Sequence, residues 1–126
     1  MHSFILQDWT TIRGASGVST ITQDEDGWLD LAPYQDVVFW LDLKESTNTP
    51  MITFQTSPNK DDALFQALVP GTSLPTAGFS APLVVSALML NASVPVARWV
   101  RWQLTATTGT WDASFRVLIA ANAPGI

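Results

Sequence analysis

The residues of this chain that could carry out catalytic chemistry are few. His2 is the only histidine among 126 residues, and it stands at a terminus, where side chains are commonly mobile. A serine–histidine–aspartate triad would depend on His2, so we do not expect one. Residues 14–17 (Gly-Ala-Ser-Gly) are too few for a phosphate-binding loop and lack the lysine that follows in such loops. We therefore predict that the chain is not an enzyme.

Acidic residues between 24 and 30 are the best candidates for a metal site. Asp24, Glu25 and Asp26 are consecutive, and Asp30 follows in the next short segment. Their hard carboxylate oxygens, together with loop carbonyls, would suit Ca²⁺. A solvated acidic turn explains the same residues and is the interpretation we favour, because loop acids usually face water. A calcium site at Asp24, Asp26 and Asp30 is the alternative, and we expect no other cofactor.

The chain contains six tryptophans, and their positions in predicted strands indicate a contact surface. Side chains alternate between the two faces of a strand, so Trp99 and Arg101 share one face of the strand at 96–105, and Trp102 lies on the other. The same alternation places Trp40 and Arg116 on the outward faces of their strands. The residues predicted to form an interface or ligand platform are Trp40, Trp99, Arg101 and Arg116.

Three interpretations of this platform stay open. Outward indole rings anchor protein interfaces, and arginine gives such contacts their direction. Indole rings flanked by Arg and Asn also stack sugar rings in β-sandwich modules. In the third interpretation a loop of the same chain, such as Pro70–Pro82, covers the rings and forms a secondary core. We favour the protein interface, because exposed apolar patches usually mark contacts.

Composition narrows the classes of partner. Charged residues make up 13% of the chain, about half the roughly 25% share of soluble domains, and such sparse charge is typical of chains covered by neighbours. Eleven acids against six bases argue against nucleic acid, which needs clustered Lys and Arg. No apolar run is long enough to predict a membrane span. The first residues lack the pattern of a secretory signal, so we expect synthesis in the cytoplasm.

Alternating and apolar segments separated by turns predict eight or nine strands and no amphipathic helix. The strands are predicted at 4–9, 18–22, 28–31, 36–44, 51–57, 63–68, 82–90, 96–105 and 113–121. The segment 63–68 could instead form one helical turn and 82–90 a helix fragment, but we favour strands for both. The polar connection at 45–50 predicts a hairpin-like return, and 70–82, with its Gly and Pro residues, predicts a long loop. The chain reads as one domain, 1–126. Its predicted fold class is all-β: a single antiparallel β-sandwich of the jelly-roll type.

Three segments resemble the discoidin-like branch of the galactose-binding-like jelly rolls. They are Val38–Leu43, a hydrophobic strand ending in Asp-Leu; Ile52–Asp61, a strand ending in Ser and an Asn/Asp-rich turn; and Ala97–Trp102, an Arg-aromatic-aliphatic-Arg strand. The resemblance implies the jelly-roll fold. It implies no binding residue, because the ligand-binding loops of that family cannot be located in this sequence and its common cysteine pair is absent. Small jelly rolls with Arg-Trp strands also resemble accessory proteins of tailed-phage particles.

These observations predict a non-enzymatic structural or decoration protein of a phage or phage-like particle. Such a protein would associate with itself or with particle proteins through its apolar Trp/Arg outer face and would become part of the virion. The alternative is a carbohydrate-binding module in which Trp40 or Trp99 stacks a sugar ring. Neither nucleic acid binding nor membrane insertion is expected.

Overall fold

The computed structural model describes residues 2–14, 19–34, 36–48, 50–74, 86–91, 96–106 and 110–122. These segments form two antiparallel β-sheets and two short 3₁₀ turns. The all-β sandwich that the sequence predicts is confirmed. No helix in these segments is long and apolar enough to cross a membrane.

Nine strands lie within the described segments. They are β1 (His2–Gly14), β2 (Ser19–Thr22), β3 (Leu29–Asp30), β4 (Asp36–Thr47), β5 (Met51–Ser57), β6 (Gln66–Ser73), β7 (Ser86–Asn91), β8 (Trp99–Ala106) and β9 (Trp111–Asn122). The 3₁₀ turns at Glu25–Gly27 and Asp62–Leu64 precede β3 and β6.

The strand order is that of a jelly roll. One sheet has the order β1-β9-β4-β7, and the other has the order β2-β8-β5-β6. The short strand β3 pairs with the start of β8, and β2 pairs with its end. The strands β2 and β3 therefore act as one interrupted strand, which leaves four strand positions in each sheet. A chain that crosses repeatedly between two such sheets has the jelly-roll architecture.

The core lies between the sheets and follows the predicted alternation. Val37, Phe39, Leu41 and Leu43 of β4 are buried, and the side chains between them are more exposed. Phe39 stacks on Phe54 of β5 in the opposite sheet, with ring centroids 4.0 Å apart. Each such apolar side chain contributes about 1.5–3 kcal/mol when it is removed from water, and together they hold the two sheets face to face.

The connection between β4 and β5 differs from its prediction. β4 pairs with β7 and β9, whereas β5 pairs with β6 and β8. The chain therefore crosses from one sheet to the other here, and the hairpin-like return predicted at 45–50 is wrong. Asn48, just after the end of β4, has a positive φ of 59°, a conformation that asparagine tolerates better than most residues.

The sixth strand also differs from its prediction. A 3₁₀ turn occupies Asp62–Leu64 where the sequence predicts the start of a strand, and β6 continues to Ser73, inside the predicted loop. The register of β6 against β5 shifts around residues 70 and 71, so the missing N–H of Pro70 falls at an irregularity of an edge strand. The rest of that loop, from 75 to 82, lies outside the described residues, as do residues 15–17, 92–95 and 107–109 between predicted strands.

Candidate interaction surface

The outward face of the four-stranded sheet carries the candidate site. Antiparallel pairing of β1, β9 and β4 aligns outward side chains into rows across the strands. From one end to the other, the rows are Ser3–Ala120–Val38, Ile5–Leu118–Trp40, Arg116–Asp42, Thr11–Ser114–Glu45 and Arg13–Asp112–Thr47. The face therefore changes from apolar at one end, through an ion pair, to polar at the other end.

We call Ile5, Leu118 and Trp40 the apolar row. Ile5 is 57% exposed, Trp40 is 42% exposed, and Leu118 between them is partly exposed. A groove of about 360 Å³ lies along the row and is also lined by Ser3 and Ala120. Large apolar side chains that remain exposed in three adjacent strands form a patch of the kind that marks a contact surface.

Arg116 ties together the middle of the face. Its Nε donates to a carboxylate oxygen of Asp42 over 2.8 Å, and its guanidinium carbon lies 5.1 Å from the ring centroid of Trp9. The charge of Arg116 is thus balanced by a carboxylate, and its planar group stacks on an indole. Trp40 and Arg116, two of the four predicted platform residues, lie on this same face. Their role in binding stays a prediction.

Arg101 does not stand on an accessible surface. It lies on the outward face of β8, but only 4% of the residue is exposed. Its guanidinium carbon lies 4.0 Å from the ring centroid of Phe65 and 5.1 Å from that of Trp28. Its nitrogens donate to Gln55 over 2.7 Å and to Asp62. The prediction that Arg101 is available to a partner is wrong, because these rings and the adjoining 3₁₀ turn cover this end of the sheet.

Trp99 is only partly exposed, and its ring is already contacted by two cations of its own chain. Lys60 Nζ lies 5.0 Å from the ring centroid, and the guanidinium carbon of Arg98 lies 5.5 Å from it. Trp99 also lies in a different sheet from Trp40. The four predicted residues therefore do not form one platform.

The structure does not gather the predicted calcium ligands. Within the described residues, no cluster of three or more His, Cys, Asp or Glu side chains could hold a metal ion. Asp24 and Asp26 are exposed residues at the 3₁₀ turn at Glu25–Gly27. Asp30 instead accepts two hydrogen bonds from Arg98, over 3.0 and 3.1 Å. Calcium binding stays a prediction for which this arrangement supplies no ligand set.

The Asp30–Arg98 pair shifts the acidity of both groups. The hydrogen bond from Arg98 lowers the pKa of the Asp30 carboxyl, and the backbone N–H of Ala32 lowers it further. The same hydrogen bond to Asp30 raises the pKa of Arg98. Both side chains are more than a third exposed, at 38% and 49%, so water screens the interaction.

Trp9 and Ile5 are among the residues of this face that the sequence pattern does not lead us to predict as site residues. Counting alternately from the buried Leu6 places Ile5 and Trp9 outward, so the signal is present in the sequence. The structure shows Trp9 44% exposed, within a register shift of β1 against β9. The shift turns Gln7 inward, where its side-chain oxygen accepts from the indole N–H of Trp102 over 3.1 Å.

Comparison with known proteins leaves the family open. No family model matches the sequence, and no curated protein matches it. Among solved structures, a chain in the structure of infectious bursal disease virus, Gx strain, is similar over 98% of this chain, with 12% identity and a TM-score of 0.47. This chain spans 32% of the length of that viral chain. A similarity at this level assigns no function, and the likeness to discoidin-like jelly rolls stays a resemblance.

Proposed function

We propose that this chain is a non-enzymatic structural protein that associates with further copies of itself through the apolar row, as a component of a phage or phage-like particle. The observation that carries the proposal is the exposure of Ile5 and Trp40 on either side of Leu118 in one row of the sheet face. The low share of charged residues, 13%, supports the proposal of a particle component, because such a share is typical of chains covered by neighbours.

A second copy fits this face better than a charged partner does. In a twofold dimer the same patch meets itself, so an apolar row needs no complementary chemistry on another protein. The cation nearest the row, Arg116, is already paired with Asp42 on its own chain. Two copies can therefore approach without burying an unpaired charge, which would cost several kcal/mol.

The carbohydrate-binding alternative is weaker at the two positions that the sequence predicts for it. Trp40 has the apolar Ile5 and Leu118 in its row rather than groups that would bond sugar hydroxyls. Trp99 is contacted by Lys60 and Arg98 of its own chain. We therefore do not propose either ring as a sugar platform.

Replacement of Trp40 tests the proposal. We expect the native chain to sediment as a multiple of its 13.7 kDa monomer. We expect the Trp40→Thr variant to have a dissociation constant at least about 30-fold higher than that of the native chain. The magnitude follows because a tryptophan at the centre of an interface contributes roughly 2 kcal/mol or more. Sedimentation equilibrium over a range of concentrations measures both quantities.

The matched control is Met51→Thr, because Met51 has the same 42% exposure but lies in β5 of the other sheet. Its dissociation constant should stay that of the native chain. A native chain that remains monomeric at high concentration would refute the proposal. Equal weakening by Trp40→Thr and Met51→Thr would show that association does not use this face.

A further inference from the structure

The polar end of the same sheet face holds a second groove. Its volume is about 610 Å³, within the roughly 300–1,000 Å³ of sites for small molecules. It is lined by Trp9, Thr10, Thr11, Lys44, Glu45 and Ser114. Five of these six residues are polar and the sixth is an exposed indole, yet most of the exposed lining is apolar, so the groove combines an apolar surface with hydrogen-bonding groups.

Trp9 presents its ring to this groove from a fixed position. The residue is 44% exposed, and its ring is contacted by Arg116, which Asp42 in turn holds over 2.8 Å. An indole held by its own chain loses little conformational freedom when a ligand stacks on it. The groove therefore offers a preorganised apolar surface at one side.

The remaining lining residues supply hydrogen-bonding groups without a net charge. The hydroxyls of Thr11 and Ser114 lie 2.8 Å apart and bond to each other. Lys44 and Glu45, both exposed, contribute one positive and one negative charge, and neither forms an ion pair with another described residue. These side chains can donate to and accept from a ligand that carries several hydroxyls.

We propose that this groove binds a neutral saccharide. One face of a sugar ring stacks on Trp9, and the hydroxyls of the ring bond to Lys44 and Glu45. A nucleic acid is disfavoured, because Glu45 lines the groove and the chain carries a net charge of −5.

This site is separate from the apolar row. The row Ile5–Leu118–Trp40 and the row Thr11–Ser114–Glu45 lie on either side of the Arg116–Asp42 pair. Trp40 does not line the groove at the polar end, and Trp9 does not line the groove along the apolar row. Sugar binding and self-association can therefore be lost independently of each other.

The test begins with an array of neutral oligosaccharides built from glucose, galactose, mannose and N-acetylglucosamine, with sulfated oligosaccharides as a charged arm. The full chain should bind at least one neutral member. Isothermal titration with that member then compares the native chain with Trp9→Ala, Glu45→Gln and Trp40→Thr. Thermal unfolding confirms that each variant is folded.

We expect Trp9→Ala to weaken binding at least ~10-fold, because it removes the stacking surface. Glu45→Gln replaces a charged acceptor with a neutral amide and should weaken binding ~3- to 10-fold, because hydrogen bonds to charged groups are the stronger ones. Trp40→Thr should bind as the native chain does, whatever its oligomeric mass. Three results would overturn the proposal: no binding to any neutral member, binding that Trp9→Ala leaves unchanged, or a preference for sulfated members that salt abolishes.

Discussion

Asp30 and Arg98 form an exposed ion pair between β3 and the residue just before β8, and the pair gives stability a dependence on pH. The pKa of Asp30 is lower in the folded chain than its ordinary value of about 3.9. A carboxyl with a lowered pKa stabilises the fold above its unfolded pKa, and this stabilisation is lost as the pH falls through the folded pKa. We therefore expect Asp30→Asn to lower the free energy of unfolding slightly at pH 7. In strong acid the free energies of unfolding of this variant and of the native chain should be equal.

Chemical denaturation at a series of pH values from 7 down to about 2 measures this difference. Arg98→Gln provides the control, because in that background Asp30→Asn should show a smaller pH-dependent effect, since only the Ala32 N–H still lowers the pKa of Asp30. A difference between Asp30→Asn and the native chain that is as large in acid as at pH 7 would contradict the assignment.

Side-chain alternation predicts the direction of a residue but not what lies above it. It places Arg101 on the outward face of β8 correctly, yet Phe65, Trp28 and Asp62 cover that guanidinium. The covering groups come from a 3₁₀ turn and from residues flanking short strands, and their position depends on how separate segments meet in space. Trp40 is 42% exposed, as the same alternation indicates.

At the scale of elements, the buried side chain of Gln23 links three separate segments of the chain. It is 4% exposed, and its amide nitrogen donates to the carbonyl oxygens of Leu6 and Gly27 over 2.8 and 3.0 Å. Its amide oxygen accepts from the backbone N–H of Trp102 over 3.2 Å. One side chain thus joins β1, the 3₁₀ turn at Glu25–Gly27 and β8.

We expect Gln23→Leu to lower the free energy of unfolding by about 2–4 kcal/mol, because a leucine of similar size leaves these buried backbone groups without partners. Urea denaturation measures the change. The control is Gln66→Leu, an exposed glutamine of β6, which should change stability by less than about 0.5 kcal/mol. Equal effects of the two substitutions would show that the Gln23 bonds contribute little.

Most strands could be predicted from the sequence because their apolar residues alternate or cluster between turn residues. The buried side chains of β4 and the inward residues of β8 follow directly from that pattern. The pairing of strands could not be predicted in the same way. The polar segment at 45–50 reads as a hairpin, but it crosses between sheets, because β4 pairs with β7 and β9 in one sheet and β5 pairs with β6 and β8 in the other.

For the molecule as a whole, one sheet is covered on its outer side where Arg101 lies, and the other exposes a face graded from apolar to polar. The sequence predicts outward indoles, but it cannot show that Trp40 and Ile5 share a row. That row depends on the register of β1 and β4 against β9. The outer face of the β1-β9-β4-β7 sheet therefore carries both proposed sites.

Hydroxyl-radical oxidation of Trp40 and Met51 over a range of protein concentrations tests that account most directly. The two residues are equally exposed, at 42%, lie in different sheets and carry side chains that react readily. We expect the oxidation of Trp40 to fall as the concentration rises and copies associate, while the oxidation of Met51 stays constant. Unchanged oxidation of Trp40 at every concentration, or equal protection of both residues, would contradict association through the apolar row.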